Sequence, residues 1–98
     1  MTGGRKLAIA TVGAALALSV GATAQAADPQ FCEGYAHAAI VQVRGGLNNP
    51  PCVGGMQGDR WSADYRVHFN WCRGVSYRAA GAERDARTAY LRACTGQR

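Results

Sequence analysis

The sequence predicts an all-α fold, a small three-helix bundle held by two disulfides, which follows a cleaved signal peptide. Two observations lead to this prediction. Apolar residues recur at helical spacing in three segments that glycine-rich breaks separate. Four cysteines also follow an N-terminal export signal, and an even cysteine count in a short exported chain is typical of a disulfide framework.

Residues 1–26 have the organisation of a secretory signal. Arg5 and Lys6 form a basic start, an uncharged apolar run of 14 residues follows from Leu7 to Val20, and Ala24-Gln25-Ala26 is a small-x-small cleavage site. A membrane span needs about 20 apolar residues, and no second apolar run follows. We therefore expect no membrane span after cleavage. The alanine-rich signal indicates a bacterium, so the expected location is periplasmic or secreted.

The remaining residues, 27–98, form one predicted domain of 72 residues. Chains below about 70–80 residues rarely bury enough apolar surface to be stable without cross-links. Nine arginines and six acidic residues give this domain a formal charge of +3, without any lysine. Nucleic-acid binding uses a clustered basic face, so this mild charge predicts no nucleic-acid partner.

The first helix is predicted to begin at Asp28. Aspartate is a favourable N-cap, and Pro29 suits the first helical position. Apolar residues then follow at helical spacing, namely Phe31, Cys32, Tyr35, Ala36, Ala39 and Val43. Gly45-Gly46 is predicted to end the helix, and residues 45–58, rich in Gly, Asn and Pro, are predicted to be a loop.

Two further helices follow this loop. Ser62 is the predicted cap of the second helix, with Asp64 favourable in its first turn and Gly74 as its stop. Its predicted apolar stripe contains Trp61, Tyr65, Phe69 and Cys72, with His68 beside them.

The third helix is predicted from about Ala82 to Cys94, followed by Gly96. Glu83 and Arg87 lie four residues apart and form a favourable pair. The predicted apolar face consists of Ala82, Ala86, Ala89, Tyr90, Ala93 and Cys94.

The cysteines are predicted to pair as Cys32–Cys72 and Cys52–Cys94. Three short helices with modest connections pack most simply as an up-down-up bundle. In that layout Cys32 and Cys72 lie at one end, and Cys52 and Cys94 at the other. Bridged Cα atoms must lie within about 7 Å, which favours this pairing over the other two. Zinc binding is disfavoured because the cysteines are 20 to 22 residues apart, without closely spaced ligand pairs.

Arginine and aromatic residues gather in and around the second helix. Arginine can hold phosphates, acidic glycans or acidic protein surfaces through paired hydrogen bonds. The predicted partner-binding residues are Arg60, Arg66, Arg73, Trp71 and Tyr77. The expected partner is an anionic ligand or another periplasmic protein. The alternative interpretation is a solvated surface with salt bridges.

A second candidate site is a hard-cation site at Asp59 and Asp64. Calcium and, by the same logic, lanthanide ions are bound by several oxygen ligands. The oxygens near these two carboxylates are few, so such a site would be exposed or completed by a second molecule through dimerisation. Helix N-terminal charges are the alternative explanation for these residues.

Three short patterns cover most of the predicted domain. They are C-x-x-Y-A at Cys32–Ala36, R-W-S-x-D at Arg60–Asp64 and H-x-x-W-C at His68–Cys72, with further cysteines at 52 and 94. This framework resembles small exported alphaproteobacterial proteins. The resemblance implies a type of domain without an activity, and some small periplasmic proteins of such bacteria handle metals, including lanthanides in methylotrophs.

The sequence thus predicts a small periplasmic or secreted binding or accessory module that is not an enzyme. It would be a monomer or weak homodimer without a required cofactor. The first alternative is a calcium- or lanthanide-binding protein. The second alternative is a small enzyme, which would need a concave pocket holding Glu33, His37 or His68.

Overall fold

The computed structural model describes residues 25–96, and the predicted signal peptide, apart from Gln25 and Ala26, lies outside the described residues. The fold is all-α. In chain order, its elements are α1 (Pro29–Leu47), α2 (Pro50–Val53), a 3-10 turn (Asp59–Trp61), α3 (Tyr65–Arg73) and α4 (Tyr77–Thr95). Helix α1 is central and packs against both α3 and α4. The predicted three-helix bundle is therefore confirmed, with one short helix added.

Helix α1 begins as predicted, because the Asp28 carboxylate accepts a hydrogen bond from the Phe31 amide at 2.8 Å and Pro29 occupies the first turn. It continues through Gly45-Gly46 and ends at Leu47, so the predicted end was wrong. Gly46 is buried, and a β-carbon there would lie 2.6 Å from Met56 Sδ. The glycine permits close packing at this point and does not terminate the helix.

The predicted loop after α1 contains the four-residue helix α2. Pro50 follows the N-cap Asn49, and proline is favourable at the first helical position because it lacks an amide hydrogen. Asn49 Nδ2 donates to the Gly45 carbonyl at 2.8 Å, which ties α2 to the end of α1. Cys52 is buried within α2.

Helix α3 begins later than predicted. Its N-cap is Asp64, whose carboxylate accepts a hydrogen bond from the Arg66 amide, so Ser62 is not the cap. The predicted apolar stripe is also corrected, because Tyr65 is exposed and Trp61 belongs to the 3-10 turn. The buried residues of α3 are His68 and Cys72.

Helix α4 begins at Tyr77, five residues before the predicted start. Ser76 is its N-cap and accepts a hydrogen bond from the Ala79 amide at 3.1 Å. Ala80 is fully buried and draws this first turn into the core. Gly96 ends the helix in the left-handed conformation (φ 82°), which glycine adopts without strain.

The buried face of α4 differs from the predicted apolar face. Ala82, Ala89 and Ala93 are exposed. The fully buried residues are Ala80 and Arg87, seven positions apart, and Tyr90 and Cys94 are partly buried on the same side. A charged residue therefore occupies a core position of this helix.

Both predicted disulfides are confirmed. Cys32 pairs with Cys72 across a Cα–Cα distance of 5.6 Å, and Cys52 pairs with Cys94 across 5.1 Å. All cysteines of the chain are therefore bonded. Disulfides form and persist in oxidising compartments, so this domain belongs to such a compartment.

The segment preceding α1 is anchored at the junction of α3 and α4. Ala27 is buried, its amide donates to the Val75 carbonyl at 2.8 Å, and its carbonyl accepts from Arg73 Nε at 3.3 Å. The Tyr77 hydroxyl donates to the Asp28 carboxylate at 2.6 Å. The core around these contacts contains Ala27, Cys32, Tyr35, Cys72 and Ala80, with Phe31, Phe69 and Val75 packed against it.

Spanning the hydrocarbon core of a bilayer takes a long and predominantly apolar helix. Within residues 25–96, no helix has the combination of length and apolarity that crossing a membrane requires.

Candidate functional site

A cavity of about 140 Å³ lies between α1, α3, α4 and the 3-10 turn. An engineered cavity of about 150 Å³ holds a benzene molecule, so this cavity has room for about six non-hydrogen atoms. Each of these four elements contributes to its wall, with Tyr35 from α1, Val67, His68 and Trp71 from α3, Glu83 and Arg87 from α4, and Asp59 and Arg60 from the turn.

Arg87 is the most deeply buried charged residue of the described chain, with 0% of its surface exposed. Its Nε donates to Gln42 Oε1 at 2.6 Å, and its guanidinium lies 5.1 Å from the centre of the Tyr35 ring. The two terminal nitrogens, Nη1 and Nη2, have no hydrogen-bond acceptor among residues 25–96. The same holds for the Tyr35 hydroxyl, which is also buried.

Arg60 and Glu83 form a close ion pair in the wall of the cavity. The Arg60 guanidinium donates two hydrogen bonds to the Glu83 carboxylate, at 2.5 and 3.1 Å. These bonds lower the pKa of Glu83, and the reciprocal interaction raises the pKa of Arg60. Glu83 also lies 4.0 Å from Arg87 Nη1, which is a charge contact without a hydrogen bond. Glu83 is thus engaged mainly by Arg60, and Arg87 is only partly compensated.

The remaining wall combines an imidazole with apolar and aromatic surface. His68 Nε2 lies 2.7 Å from the Ser62 carbonyl oxygen, which can only accept, so this nitrogen carries the hydrogen. The Trp71 ring packs beside Tyr35 with centroids 5.7 Å apart, and 41% of Trp71 remains exposed. Val67 adds an aliphatic side chain. The cavity therefore offers hydrogen-bond donors beside apolar surface.

The residues predicted to bind a partner do not form one patch. Arg60 and Trp71 both line the cavity. Arg73 and Tyr77 instead bind the segment before α1, through Ala27 and Asp28. Arg66 is 83% exposed in its side chain and lies 3.9 Å from the Asp64 carboxylate. Two of the five predicted residues thus meet at the cavity.

The two carboxylates of the predicted metal site have separate surroundings. Asp64 caps α3, and Asp59 begins the 3-10 turn and lines the cavity. Within residues 25–96, His, Cys, Asp and Glu side chains nowhere gather in a group of three or more that could hold a metal ion. A metal bound at Asp59 or Asp64 would therefore need ligands of another kind or from another molecule.

Sequence reasoning missed the two central residues of the cavity. The sequence predicts Tyr35 as part of the apolar face of the first helix, which its burial bears out, and Arg87 as the partner of Glu83 four residues earlier, but it predicts neither as part of a cavity. The spacing of Ala80, Arg87 and Cys94, seven residues each, was the available signal, because residues seven apart share a helix face. Cys94, at one end of this row, is predicted to form a disulfide. A bridged cysteine indicates that the face formed by these three residues points into the protein.

The residues that line the cavity combine charged, polar and aromatic side chains. The wall combines two arginines, a tyrosine and a histidine with two carboxylates, and one of these carboxylates, Glu83, is already held by Arg60. Comparison with known proteins adds no relative, since the chain matches no protein-family model, no curated protein and no solved structure.

Proposed function

We propose that this protein is a small, exported binding module that is not an enzyme and that holds a polar small molecule in the cavity around Arg87. The observation that carries the proposal is a fully buried guanidinium whose two terminal nitrogens lack an acceptor in the described chain while the residue lines a cavity. Burying a charged group without complete hydrogen bonding costs several kcal/mol. A bound molecule that accepts these hydrogen bonds would offset that cost.

Binding is favoured over catalysis by how the reactive side chains of the site are already engaged. Glu83 accepts two hydrogen bonds from Arg60, which keep it ionised and poorly suited to donate a proton. His68 Nε2 donates to a backbone carbonyl. The cysteines are all in disulfides. These groups support a rigid, preorganised receptor.

The proposed location is the periplasm or the exterior of a bacterial cell. The disulfides call for an oxidising compartment, and the export signal at residues 1–26 supplies the route. The proposed oligomeric state is a monomer or a weak homodimer.

The proposal is tested by two-dimensional NMR of the oxidised domain titrated with a fragment library of anions, cations and neutral polar molecules. We expect at least one class of fragment to shift the indole signal of Trp71. The backbone amides of Asn48 and Gly96, which do not belong to the cavity wall, serve as the control and should not move. The proposal fails if no fragment shifts signals from the residues that line the cavity.

A further inference from the structure

We propose that the ligand of the cavity is a small monocarboxylate with a short apolar tail, bound by Arg87 and Tyr35. This inference rests on the proposed function and specifies its ligand class. It follows from three properties of the cavity, namely the geometry of its free donors, its charge and its size.

The donors suit a carboxylate. Arg87 has its Nε fixed by Gln42 at 2.6 Å, so its two terminal nitrogens are the part of the guanidinium that remains for a ligand. A guanidinium binds a carboxylate through parallel hydrogen bonds from two of its nitrogens. The Arg87 guanidinium lies 5.1 Å from the centre of the Tyr35 ring, and the buried Tyr35 hydroxyl is a further donor without a partner in the described chain.

The charge around the cavity favours a single negative charge on the ligand. Arg60 and Arg87 are opposed by Glu83 and Asp59, so the charged groups of the wall sum to zero. Arg87 is nevertheless undercompensated, because Glu83 bonds to Arg60 and approaches Arg87 Nη1 no closer than 4.0 Å. A monoanion hydrogen-bonded to Nη1 and Nη2 would place its negative charge directly beside this undercompensated guanidinium. Glu83 and Asp59 would repel a dianion such as hydrogen phosphate more strongly than a monoanion.

The size and the wall define the rest of the ligand. A volume of about 140 Å³ accommodates about six non-hydrogen atoms. Val67 and the rings of Tyr35 and Trp71 supply apolar surface next to the donors. Butyrate, which has six non-hydrogen atoms and one charge, is therefore a suitable probe, and butyramide is its neutral counterpart of equal size.

The experiment is an isothermal titration of the oxidised domain with butyrate, butyramide and inorganic phosphate at a mildly alkaline pH, at which phosphate is mainly the dianion, followed by NMR mapping. We expect butyrate to bind with a dissociation constant of about 1 mM or lower. Butyramide and phosphate should each bind at least about tenfold more weakly, since a charged acceptor strengthens each hydrogen bond and a second charge is repelled.

Two tyrosine variants separate ligand binding from folding. Tyr35→Phe removes a hydroxyl without a partner in the described chain, so butyrate affinity should fall about fivefold to tenfold while the melting temperature stays within about 2 °C. Tyr90→Phe removes a hydroxyl that donates to the Cys52 carbonyl at 2.6 Å outside the cavity. It should lower the melting temperature by about 4–8 °C and leave butyrate affinity unchanged.

The possible failures are distinguishable. Equal or tighter binding of butyramide, or tighter binding of phosphate, would overturn the monocarboxylate inference and leave the proposed function standing. Unchanged butyrate affinity in Tyr35→Phe would overturn the assigned role of Tyr35. If neither these probes nor any fragment of the library shifts the cavity residues, the inference and the proposed function both fail.

Discussion

The burial of Arg87 is costly in free energy, because its charged side chain is fully buried without a complete set of hydrogen bonds. A guanidinium keeps its charge at every physiological pH. Unlike a lysine, it therefore cannot reduce the free-energy cost of burial by losing a proton. Here it is stabilised within the protein by one hydrogen bond to Gln42, by the face of the Tyr35 ring and by the distant charge of Glu83. Those contacts leave four N–H groups on its two terminal nitrogens without acceptors from the described chain.

Replacing Arg87 with Met should therefore preserve or raise stability while abolishing butyrate binding. Methionine retains an unbranched stem that fills the same path, and removing a buried, incompletely bonded charge is often neutral or stabilising. We expect the free energy of unfolding, measured with urea, to remain within about 1 kcal/mol of wild type or to increase. A loss of about 3 kcal/mol or more would instead assign Arg87 a structural role.

Protonation of Glu83 should make the protein less stable in acid. Hydrogen bonds from Arg60 lower the pKa of folded Glu83 below its ordinary value of 4.5. Its stabilising contribution is then present above about pH 4.5 and is lost as the pH falls through the folded pKa. Glu83→Gln should cost about 1 kcal/mol at pH 7, because the ion pair is partly exposed.

The pH dependence is measured by urea unfolding between pH 7 and pH 3. The difference in unfolding free energy between wild type and Glu83→Gln should shrink as the pH falls below about 4.5. Asp28, whose pKa is lowered by the Phe31 amide and by Tyr77, is retained in both proteins and therefore cancels from this difference. A difference that is constant with pH would contradict the role given to the Arg60–Glu83 pair.

The helices are defined at their ends by capping side chains and along their lengths by burial. Asp28, Asp64 and Ser76 each accept a hydrogen bond from an amide in the first turn of their helix. The last of these decides where α4 begins. A helix that begins at Tyr77, directly after the Ser76 cap, places Ala80 in the core and adds a turn that the alanine pattern beginning at Ala82 does not reveal.

Ser76→Ala should destabilise the domain by about 1 kcal/mol, because the Ala79 amide loses its acceptor. Ser76→Asp provides the control, since aspartate keeps an acceptor at the cap and adds a charge that is favourable at a helix N-terminus. Thermal unfolding followed by circular dichroism measures both variants. If Ser76→Ala melts at the wild-type temperature, the cap contributes nothing and the first turn of α4 is held by packing alone.

The whole molecule depends on a disulfide at each end of the bundle. Cys32–Cys72 joins α1 to α3 within the core, and Cys52–Cys94 joins α2 to the end of α4. Their sequence separations are 40 and 42 residues. The wall of the cavity is assembled from four separate elements, so its shape depends on their being held in fixed positions.

Replacing either cysteine pair with alanine should lower the free energy of unfolding by about 4 kcal/mol, as expected from the entropy of closing loops of this length. Removing both should leave the domain largely unfolded, since small domains have only about 5–15 kcal/mol of stability in total. Circular dichroism of the two single-bridge variants and the bridge-free variant provides the measurement. A bridge-free variant with a wild-type melting temperature would show that the small core is sufficient by itself.

Much of this fold could be predicted from local sequence patterns. The cap at Asp28, the all-α class and the two disulfide pairs follow from residue spacing, because three short helices allow few layouts in which four cysteines can pair. The ends of the helices were harder to predict from the sequence. Gly45-Gly46 has the appearance of a helix stop, but the Met56 side chain packs where a β-carbon would stand.

The helical class, the disulfide framework and the presence of arginines and aromatic residues near α3 all follow from the amino-acid sequence. Which of these side chains lie together depends on how the helices pack. Their packing separated Arg66, Arg73 and Tyr77 from the cavity, retained Arg60 and Trp71, and added Tyr35 and Arg87. The physical reason is that capping and spacing act within a few residues, whereas the burial of Arg87 depends on α1 and α4 packing face to face.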